Sequence, residues 1–249
     1  MIAEIMTLYI VNNKITIMSK YEHIQQAAFE ANLELPKLGL VVFTFGNVSA
    51  ADRQLGAFAI KPSGMPYHEL TPRKMVVVDF DGNVVEGTLR PSSDTKTHAL
   101  LYKEWETVQG ICHTHSTYAT AWAQAQRDIP VLGTTHADHS ISDIPCTPSM
   151  DEVMIEGDYE YQTGVQILQC LKERKLSYRE IEMILVGNHA PFTWGESAAK
   201  AVYNSAVLEN IAQMAFLAEQ LNPDVSRLKE ALIKKHFERK HGPGSYYGQ

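Results

Sequence analysis

The sequence predicts an α/β chain built around a central, mainly antiparallel sheet. Short β-rich runs at 40–44 (LVVFT), 57–60 (AFAI), 75–79 (MVVVD) and 83–85 (NVV) crowd the first half. Turn residues at Gly46-Asn47, Ser63-Gly64 and Asp81-Gly82 separate them, and Asp81-Gly82 is a strong hairpin turn. Long segments of helical apolar period follow in the second half, so helices cover what the strands leave open. Whether the pattern is α/β or α+β depends on how those helices distribute over the sheet.

Taken in order, helical spacing begins after Met18, through Tyr21, Ile24, Ala28 and Ala31. After the strand runs, Pro91-Ser-Ser-Asp94 offers several capping side chains ahead of a helix over 95–105. An apolar strand ending in His113-Thr-His115 comes next, then an alanine-rich helix over 117–126. The stretch 129–148 is rich in turns. A helix is expected over 159–173, a buried strand over 181–186, and helices over 197–221 and 225–240. The tail from 241 onward holds Gly and Pro and breaks helix.

A chain of 249 residues without a linker or low-complexity tract reads as one domain over 19–249, preceded by an extension, 1–18. That extension lacks a basic start, an unbroken apolar core and a cleavage site, so no signal peptide is expected in it, and Asn12, Asn13 and Lys14 interrupt any membrane span. It is expected to be disordered, a loosely attached edge strand, or residues preceding a true start at Met18. The net charge of −7 and the lack of a basic stripe exclude a general nucleic-acid binder. The most basic stretch, 234–241, reads as a solvated helix face or as positive charge gathered for an anionic substrate. Cys112, Cys146 and Cys170 form an odd set without zinc-finger spacing, which suits a reducing cytoplasm. Cys112 should face the core, away from the histidines beside it.

His113 and His115 carry the strongest chemical signal. Side chains in a strand alternate faces, so two histidines one residue apart point the same way and make half of a metal site. Imidazole suits zinc, and manganese or cobalt less selectively. His189, at the end of the strand over 181–186, is a third candidate ligand. Asp94 could add a carboxylate, although capping the following helix is its more ordinary role. Gly46-Asn47, Ser63-Gly64 and Ser92-Ser93 offer backbone N–H groups and hydroxyls, and Lys61 a cation, where a phosphate could sit. Each taken singly is a turn, and none is a P-loop or a Rossmann fingerprint.

Taken together, GNVS (46–49), KPSG (61–64), PSSD (91–94), HTHS (113–116), GTTHAD (133–138), HAPFTWG (189–195) and the terminal YYGQ (246–249) occur in one order. The chain from about residue 19 to its end closely resembles the L-ribulose-5-phosphate 4-epimerases of the class II aldolase/adducin superfamily. The resemblance implies a three-layer α/β/α sandwich around a nine-stranded antiparallel sheet, assembled as a cyclic homotetramer with its active site at the subunit interface. It implies that His113, His115 and His189 bind Zn2+, or Mn2+ or Co2+, with Asp94 near or on the ion. Gly46, Asn47, Lys61, Ser63, Gly64, Ser92 and Ser93 would hold a phosphorylated ketopentose. Asp138 and Tyr247 would be the acid/base pair, with Tyr247 reaching a neighbouring subunit's site. Thr134, Glu160, His236 and Arg239 would line or support that site. The family's usual His-Gly-Pro is His189-Ala190-Pro191 here, a change that is tolerable unless position 190 needs positive φ.

The activity so implied is C4 epimerisation of L-ribulose 5-phosphate to D-xylulose 5-phosphate by retro-aldol cleavage and re-addition, within pentose catabolism in the cytoplasm. A class II aldolase that releases its aldehyde is the nearest rival, but such aldolases typically carry a glutamate at the position of Asp94. A non-catalytic module like the adducin head is a second rival, and it need not retain metal ligands.

Overall fold

Residues 8–11, 14–17, 19–242 and 245 are described in a computed structural model of the chain. Strands β1 (Leu8–Val11) and β2 (Lys14–Ile17) pair antiparallel, from Leu8↔Ile17 to Val11↔Lys14. Neither joins the main sheet, so these strands of the N-terminal segment form a pair of their own and not an edge strand.

Helix α1 (Glu22–Lys37) leads into strands β3 (Asn47–Asp52), β4 (Ala57–Ile60), β5 (Val76–Asp79) and β6 (Val84–Glu86). Helix α2 (Thr95–Glu104), strand β7 (Gly110–His113), helix α3 (Thr117–Gln124) and the short helices α4 (Thr134–Ala137) and α5 (Glu152–Glu156) follow. The chain continues through α6 (Tyr159–Glu173), β8 (Met183–Leu185), β9 (Pro191–Gly195), α7 (Ala198–Leu221) and α8 (Glu230–His241). The sheet runs β6-β5-β4-β3-β7-β9-β8, and every neighbouring pair is antiparallel.

Alternation along the strands divides the core into two layers. Phe58, Ile60, Val76, Val78 and Ile111 pack with residues of α2, α3 and α6 on one face. Ala57, Ala59, Val77 and Cys112 pack with Ile24, Ala28, Ala31 and Leu35 of α1 on the other. Helix α7 feeds both layers, with Ala201 and Val202 in one and Leu208 and Ile211 in the other. The fold is therefore the expected α/β sandwich, and Cys112 lies in the core as its position predicted.

Three expectations are corrected. The sheet has seven strands among the described residues, not nine. The run 40–44 is irregular although its residues favour strands. Leu40 N–H bonds back to the Leu35 carbonyl and ends α1, while the carbonyls of Thr44, Phe45 and Gly46 accept from Lys61 and Tyr67 instead of from a strand. Val42, Phe43 and Phe45 are left exposed, Phe43 with a φ of 54°. The last helix begins at Glu230, not 225, because Leu228 N–H is bound to the Val131 carbonyl and Arg227 to Asp143 and the Ile141 carbonyl. Strands β3 and β9 were not expected: asparagine, serine, alanine and aspartate weaken the β signal of the first, and a leading proline that of the second.

Candidate active site

Antiparallel register brings the chemistry to one end of the sheet. Asn47 opens β3 opposite His113, the last residue of β7, and His113 pairs on its other side with Phe192 near the start of β9. Lys61 follows β4 directly, and its loop is sewn to the next by Ser63 N–H to the Arg90 carbonyl (2.9 Å) and Ser92 N–H to the Lys61 carbonyl (3.0 Å). Five loops from distant parts of the sequence thus meet around a cavity of about 380 Å³.

At one end of the cavity the nitrogen atoms of His113, His115 and His189 that could serve as ligands lie within 4.8 Å of one another. His113 is buried, its ring stacked on Phe192 at 4.2 Å, and its Nδ1–H donates to the Pro191 carbonyl (3.0 Å). That hydrogen bond fixes the tautomer and leaves the Nε2 lone pair facing His115 Nε2 at 3.2 Å. Nitrogen ligands about 2.0–2.1 Å from a tetrahedral ion stand about 3.3–3.4 Å apart, so this spacing fits one shared ion. Burial, with the neighbouring imidazoles, pushes His113 and His189 down to about 3, and partial desolvation of the more open His115 lowers it too, so the cluster is neutral and ready to ligate. His189 Nδ1 is buried and unpaired among the described residues.

His189 is presented by a turn in which Asn188 takes a φ of 60° and Val186 N–H bonds the Ala190 carbonyl (3.0 Å). Ala190 is not among the residues of positive φ, so its methyl in place of the usual glycine meets no backbone strain. Gly46 is different: its φ is 77°, and an added Cβ would stand 2.8 Å from Val41 Cγ1 and 2.9 Å from the His113 carbonyl.

Asp94 stands at the N-cap of α2 but makes no side-chain cap bond. Its carboxylate instead accepts from Asn47 Nδ2 (2.6 Å), which also donates to Ser92 Oγ (3.1 Å). Asp94 faces the cavity beside the histidines, outside the three-ligand group. Among the described residues Asn47 Oδ1 is buried without a partner, an acceptor available to a substrate hydroxyl.

Lys61 is the buried cation of the site. Its ammonium donates to the Thr44 carbonyl (3.1 Å) and lies 5.0 Å from the Tyr67 ring centre, and burial lowers its pKa to about 8. Ser63, Gly64, Ser92 and Ser93 line the same cavity. A buried ammonium beside backbone donors and hydroxyls, with no carboxylate bound to it among the described residues, suits an anion such as phosphate. Glu160 also lines the cavity. So do Tyr159, whose ring is 6.0 Å from His189, and Phe45, both missed in the sequence. Tyr159 carried no signal of its own beyond preceding Glu160.

Thr134, Asp138, His236 and Arg239 gather elsewhere, between α4 and α8, and do not line this cavity. Asp138 accepts from Arg239 Nε (3.1 Å) and Nη2 (2.9 Å) and from His236 Nδ1 (2.9 Å). Burial acts to raise its pKa, but the bonds from Arg239 and His236 outweigh it and hold the carboxyl below its ordinary range. Thr134 lies one turn before it, its carbonyl accepting from Asp138 N–H (2.9 Å). Tyr247 lies outside the described residues.

Residues 26–216 match the family model described as Class II Aldolase and Adducin N-terminal domain. The chain belongs to the class II aldolase and adducin family. Proteins named L-ribulose-5-phosphate 4-epimerase UlaF from Salmonella paratyphi A and Salmonella typhi are each 50% identical over 228 residues, covering 92% of this chain and 99% of theirs. Among solved structures, an L-fuculose 1-phosphate aldolase superposes with a TM-score of 0.73 at 23% identity, covering 89% of this chain and 97% of its own. The L-fuculose 1-phosphate aldolase from Glaciozyma antarctica gives a TM-score of 0.70 at 18% identity, with coverage of 88% and 82%. These two likenesses establish the fold. No helix among the described residues is long and apolar enough to cross a membrane.

Proposed function

We propose that this class II aldolase family member is an L-ribulose-5-phosphate 4-epimerase, converting L-ribulose 5-phosphate to D-xylulose 5-phosphate. The observation that carries the reading is one cavity holding three neutral, convergent imidazoles together with a buried Lys61 that no carboxylate pairs among the described residues. The 50% identity to proteins of that name supports the substrate.

The C4 proton of a ketopentose phosphate is not acidic, so simple deprotonation cannot invert that carbon. Cleavage of C3–C4 avoids the difficulty, since the electron pair left on C3 is delocalised toward the C2 carbonyl as an enediolate. His113, His115 and His189 would hold a divalent ion, zinc by the donor set, which would supply Lewis-acid stabilisation of the developing enediolate charge. Lys61, with the serines of its two loops, grips the phosphate and keeps the aldehyde fragment from leaving. Asn47 orients a hydroxyl through its free Oδ1.

Inversion needs proton transfer at the C4 oxygen on both faces of the aldehyde. Asp138, ionised beside Arg239 and His236, takes the hydroxyl proton on one face as C3–C4 breaks. Tyr247 supplies the proton on the other face as the bond re-forms. Asp138 does not line the cavity of its own chain, so we place it and Tyr247 in the site of a neighbouring copy, within a homotetramer in the cytoplasm. Residues 19–249 form the catalytic domain in this reading, and 1–18 an extension to it.

The test is to strip the protein with a chelator, restore zinc or manganese, and supply L-ribulose 5-phosphate. Metal-dependent xylulose phosphate without lasting glycolaldehyde phosphate is expected. Accumulating aldehyde would instead identify an aldolase.

A further inference from the structure

Resting on the reading of the histidine cluster as a metal site, we propose that Glu209 is a positioning residue that sets the metal-binding segment 113–116 from helix α7, which packs against it. Among the three imidazoles, His113 is locked by the Pro191 carbonyl and His189 sits in a tight turn. His115 has neither support. It is exposed, lies beyond the end of β7, and its ring is hydrogen-bonded only to His113 among the described residues. Its place is set by its backbone, which the strand holds on one side and helix α3 on the other.

The N-terminus of α3 is held from outside. Ser116, the N-cap residue next to His115, makes no cap bond, and its buried Oγ has no partner among the described residues. Glu209 of α7 takes over that role from 90 residues away, accepting Tyr118 N–H (2.8 Å) on one oxygen and Ala119 N–H (2.9 Å) on the other. A carboxylate there satisfies two orphan donors and sits at the favourable end of the helix dipole. The same face of α7 makes further contacts with this segment. Thr114, between the two ligands, reaches Ser205 Oγ at 3.5 Å, and Trp122 Nε1 donates to the Ala212 carbonyl at 3.0 Å. Positions 205, 209 and 212 follow the period of one helix face, so α7 acts as a rail along which segment and helix are registered.

Zinc affinity, measured directly by competition with a chromophoric chelator, tests the role without using turnover. Glu209→Ala is expected to weaken zinc binding about 10- to 100-fold, the range typical of groups that orient ligands indirectly. Glu209→Gln keeps the size and one acceptor, so it should fall between Ala and wild type and covers the case in which the alanine variant fails to fold. Glu219→Gln is the control. It removes a charge from the same helix and opens the Arg127–Glu219 pair (2.8 and 2.9 Å) just beyond the far end of α3, so zinc affinity should not change. Wild-type affinity in a folded Glu209 variant overturns the proposal, as does an equal loss in Glu219→Gln. A wild-type protein that binds no zinc would instead overturn the metal-site reading on which the role rests.

Discussion

Replacing Lys61 by methionine should make the ligand-free protein more stable at neutral pH while destroying its affinity for phosphate. The ammonium is buried and desolvation lowers its pKa from 10.5 to about 8. Below pH 8 lysine is protonated in both folded and unfolded chains, and the difference corresponds to a folding cost of about 3 kcal/mol. Between about 8 and 10.5 the unfolded chain binds the extra proton, so stability rises with pH and the cost disappears. Methionine removes the charge at similar length but leaves the Thr44 carbonyl without its donor, a loss of about 1 kcal/mol. The net gain is then about 2 kcal/mol at neutral pH, or roughly 4–8 °C in Tm for a chain of this size. Thermal unfolding with and without inorganic phosphate reads both halves of the prediction. Wild type should gain Tm from phosphate and Lys61→Met should not, and the gap between the ligand-free proteins should close toward pH 10.5. A variant less stable than wild type at neutral pH, yet equally stabilised by phosphate, would refute the reasoning.

Other consequences follow from the same groups. Asp138→Asn should destabilise the protein at neutral pH by removing the carboxylate that Arg239 and His236 share, and a urea titration should show that difference vanish as acid protonates the wild-type carboxyl, whose pKa is already lowered. His113 and His189, pushed from 6.5 to about 3, are neutral when folded but gain protons on unfolding. Each should therefore cost about 2 kcal/mol of stability on acidification from neutral to about pH 5, as followed by denaturant titration of the metal-free protein. Mixing inactive His113→Asn and Asp138→Asn chains should restore part of the turnover if the site is shared between copies. An activity assay of co-refolded chains that stays at background would place both residues in one chain's site. Tyr247→Phe should slow the two directions of epimerisation unequally, and initial rates from each substrate would show it.

Much of the site was legible because its residue types are rare in such combinations. His113-x-His115 declares a shared face by strand geometry alone, and Cys112 declares its burial by the same rule. Gly46 and Gly82, both of positive φ, mark turns that glycine favours. Other features stayed hidden for physical reasons. The 40–44 run has the composition of a strand, but Lys61 claims the carbonyl of Thr44 and Tyr67 those of Phe45 and Gly46 just after it, contacts that only the tertiary fold creates. Strand β3, with Ser49, Ala50 and Ala51, occupies the middle of the sheet because small side chains pack there, against their modest propensity. Asp94 looked like a helix cap, yet it turns to Asn47 at the start of β3, 47 residues away. Glu209 had no sequence signal at all, since its partners are backbone groups 90 residues away.

Solvent deuterium distinguishes retro-aldol epimerisation from any route that removes a carbon-bound proton. Cleavage and re-addition leave the hydrogens on C3 and C4 in place, so xylulose 5-phosphate formed from L-ribulose 5-phosphate in D2O should carry no deuterium at either carbon by NMR. Deuterium at C4 of the product would contradict the proposed chemistry.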